Sequence, residues 1–130
     1  MNDSPWQSNG FTRLSRAARS GLRGIRYRAH DSAIRQVSAA TLVLLLIALV
    51  LPVSRIEKLI LVQSTLLVPF AEYINSAIES AVDRTSLDHH PLAARAKELA
   101  SVAVGVAVLI CAVAWGGIVI PLAVSRLGPG

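Results

Sequence analysis

Glu72-Tyr73-Ile74-Asn75-Ser76-Ala77-Ile78-Glu79-Ser80-Ala81-Val82-Asp83 follows an apolar run, Leu59 to Ala71, that contains no charged residue. A helix advances about 100° per residue, which puts Asn75, Glu79 and Asp83 at about −60°, −20° and +20° from Glu72. Four polar groups, three of them carboxylates, therefore share one stripe, while Ile74, Ile78 and Ala81 occupy the opposite side and Val82 flanks the stripe. Carboxylates are expensive next to a bilayer, so they face a bundle interior or a wet cavity and mark function. A solvated amphipathic helix leaving the membrane is the plainer reading of the same spacing.

Working outward, the chain has 130 residues, 53% of them hydrophobic, with a mean hydropathy of +0.54 and a net charge of +5. That is too apolar for an ordinary soluble domain. Combined with the positive charge, it describes a membrane protein with a basic cytoplasmic face and not a nucleic-acid binder. The lone Cys111 lies inside an apolar run, where it can form no internal disulfide and reads as a small packing residue.

Residues 1–9 are polar and read as a flexible terminus. Residues 10–130 read as a single membrane domain. Its first segment, about 10–30, carries Arg13, Arg16, Arg19, Arg23, Arg26 and Arg28 interleaved with Phe11, Leu14, Leu22 and Ile25. This predicts an amphipathic helix on an anionic membrane surface, some of whose arginines hold phosphate. Val37 to Val53 is 17 residues without a charge, and predicts a first spanning helix over about 36–53. A second spanning helix is predicted over about 56–84, with Lys58 snorkelling at the far interface. Only 13 residues separate Lys58 from Glu72, so Glu72 belongs near the cytoplasmic interface. Residues 84–91 read as a polar loop. His89 and His90 are neighbours and point apart on a helix, so they make a poor zinc site; a nucleotide-contacting or simply solvated loop fits them better. A third spanning helix is predicted over about 92–124, because Leu99 to Ser125 is a 27-residue run without charge. Its small residues Ala100, Ser101, Ala103, Gly105 and Ala107 permit close helix approach.

Basic residues crowd ahead of the first span and around the loop between the second and third, leaving Arg55, Lys58 and Arg126 on the other side. The positive-inside rule then puts the amino terminus and that loop in the cytoplasm and the carboxyl terminus outside.

The residues also carry a resemblance. Gly10-Phe11-Thr12-Arg13, Ala33-Ile34-Arg35-Gln36, Glu72-x-x-Asn75-Ser76-Ala77-Ile78-Glu79-x-x-Val82-Asp83-Arg84 and His90-x-Leu92-x-x-Arg95-Ala96-Lys97 together resemble the small prokaryotic diacylglycerol kinases of Gram-negative bacteria, over roughly residues 10–117. The resemblance implies an all-α membrane protein of three spanning helices plus a surface helix, assembled as a homotrimer with shared active sites in the inner membrane. It implies phosphoryl transfer from ATP, with Mg2+, to diacylglycerol, giving phosphatidic acid in phospholipid recycling. Glu72 stands at the catalytic carboxylate position, with Asn75 and Lys97 at polar active-site positions. Glu79 and Asp31 stand at magnesium-ligand positions, Asp31 replacing a usual glutamate. Nucleotide contacts are implied for Arg13, Ser20, Asp88, His89, His90, Lys97 and Glu98. Ser20 stands where a tyrosine is common and Glu98 where an aspartate is usual. Lipid contacts are implied for Arg13, Arg35, Lys58, Glu72 and Ser101.

The chemistry agrees with that mapping. Phosphoryl transfer needs positioning and charge neutralisation more than covalent help, and magnesium favours sparse carboxylate coordination of the kind Glu79 and Asp31 offer. Gly-x-x-x-x-Gly-Lys is absent, which excludes a P-loop kinase. Two other readings stand beside this one. A related kinase acting on undecaprenol would carry the same stripe, and His90-Pro91-Leu92 and Arg55-Ile56-Glu57 lean that way. A non-catalytic small subunit of a membrane complex would explain the apolar helices but not the clustered Glu72, Asn75 and Glu79.

Overall fold

A computed structural model describes residues 10–28, 32–85 and 90–127. Four helices account for nearly all of them: α1 (Gly10–Arg28), α2 (Ser32–Val50), α3 (Arg55–Thr85) and α4 (Pro91–Leu127). Each falls where a helix is predicted, with ends displaced by a few residues. At its C-terminus α2 stops at Val50 and not near residue 53. Pro52 cannot donate to the helical ladder and disfavours helix at the residue before it. The last helical bond is therefore Leu51 N–H to the Ile47 carbonyl, 3.0 Å, followed by a tight turn in which Val53 N–H donates to the Leu51 carbonyl, 2.9 Å. The expected loop over 84–91 is shorter at both ends, because α3 continues through Thr85 and Pro91 already opens α4. Residues 1–9, Asp31, Asp88 and His89 lie outside the described residues.

The chain divides into two compact units, Met1–Arg35 and Gln36–Gly130. In the first, α1 leaves Phe11 and Leu14 exposed, as are Arg16, Arg19 and Arg23. On a helical wheel Phe11 and Leu14 lie on the side opposite those arginines. That separation gives α1 one apolar and one basic side. Ile34 is buried.

In the second unit, packing is dominated by α3 against α4. They run antiparallel: Asp83 meets Lys97 at one level and Thr65 meets Trp115 at another. Leu61, Ser64, Thr65, Ala71, Asn75 and Ser76 form the buried seam of α3, against Ala100, Ala107 and Cys111 of α4. The α4 residues are all small, which lets the backbones approach closely where lipid gives no hydrophobic drive to pack. Two polar side chains of the hairpin are linked in sequence. Trp115 Nε1 donates to Thr65 Oγ1 at 2.9 Å, and Thr65 Oγ1 donates to the Leu61 carbonyl at 2.7 Å.

The outer faces are apolar. Leu59 and Phe70 on α3, Leu99, Leu109 and Val113 on α4, and Leu42, Leu49 and Val50 on α2 are all exposed. Contiguous apolar surface on this scale suits hydrocarbon and not water. By length and apolarity α2 and α4 qualify as membrane-crossing helices. The helix α3 carries the acidic stripe in its last turns, which lowers its apolarity.

Two junctions fix the helix ends. Ser54 and Glu57 form a capping box at the start of α3: Ser54 N–H donates to Glu57 Oε2 at 2.8 Å, and Glu57 N–H donates to Ser54 Oγ at 3.3 Å. These bonds from the Ser54 hydroxyl region and backbone hold the Glu57 carboxyl below its ordinary value of 4.5. Lys58 Nζ reaches back to the Leu49 carbonyl at 2.8 Å, placing a cation on the C-terminal turn of α2.

Candidate active site

The acidic stripe continues the buried seam of α3. Leu61, Thr65 and Asn75 are buried on the arc that, at about 100° per residue, also carries Glu72, Glu79 and Asp83. The stripe thus turns toward α4, and the outward arc holds Phe70, Ile74 and Ala81, all exposed. Glu72 and Glu79 are half-buried and Asp83 is exposed, so burial falls away toward the end of the helix.

Asn75 is the most enclosed polar member, at 8% exposure. Its Nδ2 donates to Glu79 Oε1 at 3.0 Å, one turn further along. Its other end is different: Asn75 Oδ1 is buried and has no hydrogen-bond partner. A buried amide oxygen left bare is costly. Among the described residues, no three metal-ligating side chains converge.

Lys97 is half-buried and lies on the seam of α4, three residues before Ala100. Its ammonium pairs with Asp83 Oδ1 across the hairpin. Spacing within one helix gives no sign of this contact, which depends on the register of α3 against α4. Glu98 and Ser101 are exposed, and Ser101 Oγ donates to the Lys97 carbonyl at 3.1 Å.

His90 has a structural job. It is the N-cap of α4, its carbonyl accepting from Ala93 and Ala94 N–H at 2.9 and 3.2 Å while its Nδ1 accepts from Leu92 N–H at 3.3 Å. Pro91, next to it, sits at the first helical position that proline favours. Nε2 is left free of this cap and can still meet a ligand. Lys58, expected among the lipid contacts, lies on α3 about 21 Å from Glu72 along the axis at 1.5 Å per residue. A cleft of about 370 Å³ opens at that same far end, between Ser54, Glu57, Pro121 and Ser125, and contains none of the stripe.

In the first unit, Arg13 and Ser20 lie on α1, with Ser20 exposed, and Arg35 is exposed in the first turn of α2. The hairpin therefore brings Lys97 to Asp83, one turn beyond the Asn75–Glu79 pair, while Glu72 lies about 16 Å from Asp83 along α3 at 1.5 Å per residue and Lys58 lies beyond it at the far end.

Comparison with known proteins gives a consistent picture. The family model described as prokaryotic diacylglycerol kinase matches residues 19–119. A protein of Escherichia coli named diacylglycerol kinase is 38% identical over 109 residues, covering 83% of this chain and 89% of its own. The protein of that name from Pseudomonas aeruginosa is 37% identical over 123 residues, covering 92% and 99%. That from Haemophilus influenzae is 32% identical over 114 residues, covering 87% and 97%.

Proposed function

The chain belongs to the prokaryotic diacylglycerol kinase family, and on that premise we propose that it phosphorylates diacylglycerol to phosphatidic acid, with ATP as donor, at the bacterial inner membrane. The observation that carries the site assignment is the stripe itself: Glu72, Asn75 and Glu79 turn inward toward α4, on the seam where Lys97 also lies. A helix merely leaving the membrane would turn its acids to water and its apolar face to its partner. Here the apolar residues face outward.

Glu72 is the general base. Placed where α3 passes from the apolar run into the polar stripe, it meets the primary hydroxyl of a lipid at the depth of its headgroup and accepts the proton as the hydroxyl oxygen attacks the γ-phosphorus of ATP, whose bond to the bridging oxygen breaks and releases ADP. The lipid needs no soluble pocket, since it enters sideways from the bilayer. Asn75 orients Glu79 through the 3.0 Å amide bond. Lys97 offsets charge on the phosphates of ATP, as a compact ammonium does well. Glu98, His90 and Ser101 lie on the same end of α4 or at its cap and serve the nucleotide and the lipid; contacts of the same kind are proposed for Arg13, Ser20, Arg35, Asp88 and His89 from the family resemblance.

Magnesium suits these donors. Glu79 and the bare Asn75 oxygen are hard oxygen groups without a basic residue's charge, and Glu79 and Asp31 would hold the ion. When bound, it supplies neutralisation of phosphate charge.

The surface helix α1 lies on the cytoplasmic face, α3 is a third spanning helix through Leu59 to Ala71, and the carboxyl terminus is periplasmic. The exposed apolar faces of α2 and α4 are available to lipid and to two further copies of the chain, in a homotrimer whose active sites draw on neighbouring subunits. Reconstituted protein given MgATP and either diacylglycerol or undecaprenol tests the substrate. The expected result is faster phosphorylation of diacylglycerol. Faster product from undecaprenol would keep the chemistry and replace the substrate.

A further inference from the structure

We propose that Asp83 is a positioning residue of the kinase: it holds the Lys97 ammonium at the end of the carboxylate stripe, in place to receive the phosphates of ATP. The inference rests on the reading that Lys97 meets phosphate, and adds a residue to which neither the family resemblance nor the comparisons give a role.

Three features carry it. Asp83 and Lys97 are 14 residues apart and belong to different helices, so their contact is made by the hairpin and not by local spacing. Asp83 stands one helical turn beyond Glu79 on the same arc, about 6 Å along the axis. Finally, the pair is not a buried strut: the two side chains are 40% exposed for Lys97 and 65% for Asp83. An exposed ion pair contributes little to stability, so holding the hairpin together is a poor account of it.

Lysine needs such a partner here. Its charge rides on a flexible four-carbon stem, and Glu79 offers a competing carboxylate one turn away. If Lys97 swung onto Glu79 it would neutralise the group that is to hold magnesium. Asp83 draws the ammonium to the outer end of the stripe and leaves Glu79 to its bond with Asn75. An ammonium has three N–H donors. One serves Asp83, and two remain for phosphate oxygens. Exposure at that end leaves room for a nucleotide to arrive from the cytoplasmic side.

The test is binding of a non-hydrolysable ATP analogue with Mg2+ to detergent-solubilised protein, for wild type, D83N, D83E, K97M and D83N/K97M. Steady-state KM for MgATP and for diacylglycerol is measured on the active variants. D83N should weaken analogue binding and raise the KM for MgATP by about tenfold, with the KM for diacylglycerol unchanged. D83E should restore both to within about twofold, because the charge is kept. In the double-mutant cycle D83N should add nothing once Lys97 is gone. Wild-type nucleotide binding in D83N, tighter binding in D83N, or an equal further loss in the K97M background would each overturn the proposal. So would loss of assembled, folded D83N protein on gel filtration, which would make Asp83 structural. Full binding and activity in K97M would instead sink the phosphate reading of Lys97, and this inference with it. The two failures are thus told apart.

Discussion

Asn75 shows how much a single side chain can say at residue scale. Its amide nitrogen is committed to Glu79 and its oxygen is buried without a partner, an arrangement that a purely structural asparagine would avoid. Replacing Glu79 with Gln keeps an acceptor for Asn75 but removes the charge that magnesium needs. The Mg2+ concentration for half-maximal activity should rise about tenfold or more, read by titrating Mg2+ at fixed ATP. An unchanged Mg2+ requirement would remove Glu79 from the metal site. The stripe was legible in the sequence because one helix at about 100° per residue fixes the relative directions of Glu72, Asn75, Glu79 and Asp83. The Asp83–Lys97 pair was not, since it joins two helices and depends on their register. Nor was the cap formed by His90, because adjacent histidines in a polar run look alike whether they meet solvent, nucleotide or a helix end.

Among the elements, α3 is held by devices at its start and its middle. Ser54 and Glu57 cap it, and Ser54→Ala should lower the stability of the folded protein by about 1 kcal/mol, seen in thermal unfolding, with kinase activity at ambient temperature kept. The cap also sets a pH dependence. Because the folded-state Glu57 carboxyl lies below its ordinary value of 4.5, its contribution is fully present above that value and is lost as pH falls through the lower, folded one. Glu57→Gln should therefore flatten the acid side of the stability profile, and a profile identical to wild type below pH 4.5 would refute the cap's role. In the middle, the Trp115–Thr65 bond ties the two helices together. Trp115→Phe should cost about 0.6 kcal/mol for the interhelical bond itself, near the average for such bonds in membranes, plus whatever packing the smaller ring gives up. The number, order and approximate limits of the helices were readable from charge-free runs and proline positions. The early stop of α2 reflects a local backbone effect at Pro52 that hydropathy alone does not register.

For the whole molecule, charge is concentrated in α1 and apolarity in α2, α3 and α4, and the apolar outer surfaces of α2, α3 and α4 require hydrocarbon or another subunit around them. The homotrimer is an expectation from the resemblance alone, because nothing in one chain's periodicity says how many copies share a face. If active sites draw on neighbouring subunits, mixing inactive Glu72→Gln and inactive Asp31→Asn chains during assembly should restore part of the wild-type activity. Mixtures as inactive as either parent would confine each site to one chain. The most direct test of the account is the rate of phosphatidic acid formation by Glu72→Gln in bilayers, alongside its thermal unfolding and assembly. The account predicts a loss of about a hundredfold to ten-thousandfold, the range of a general base, in protein that folds and assembles as wild type does. Near-normal turnover, or loss of assembly in place of turnover, would contradict it.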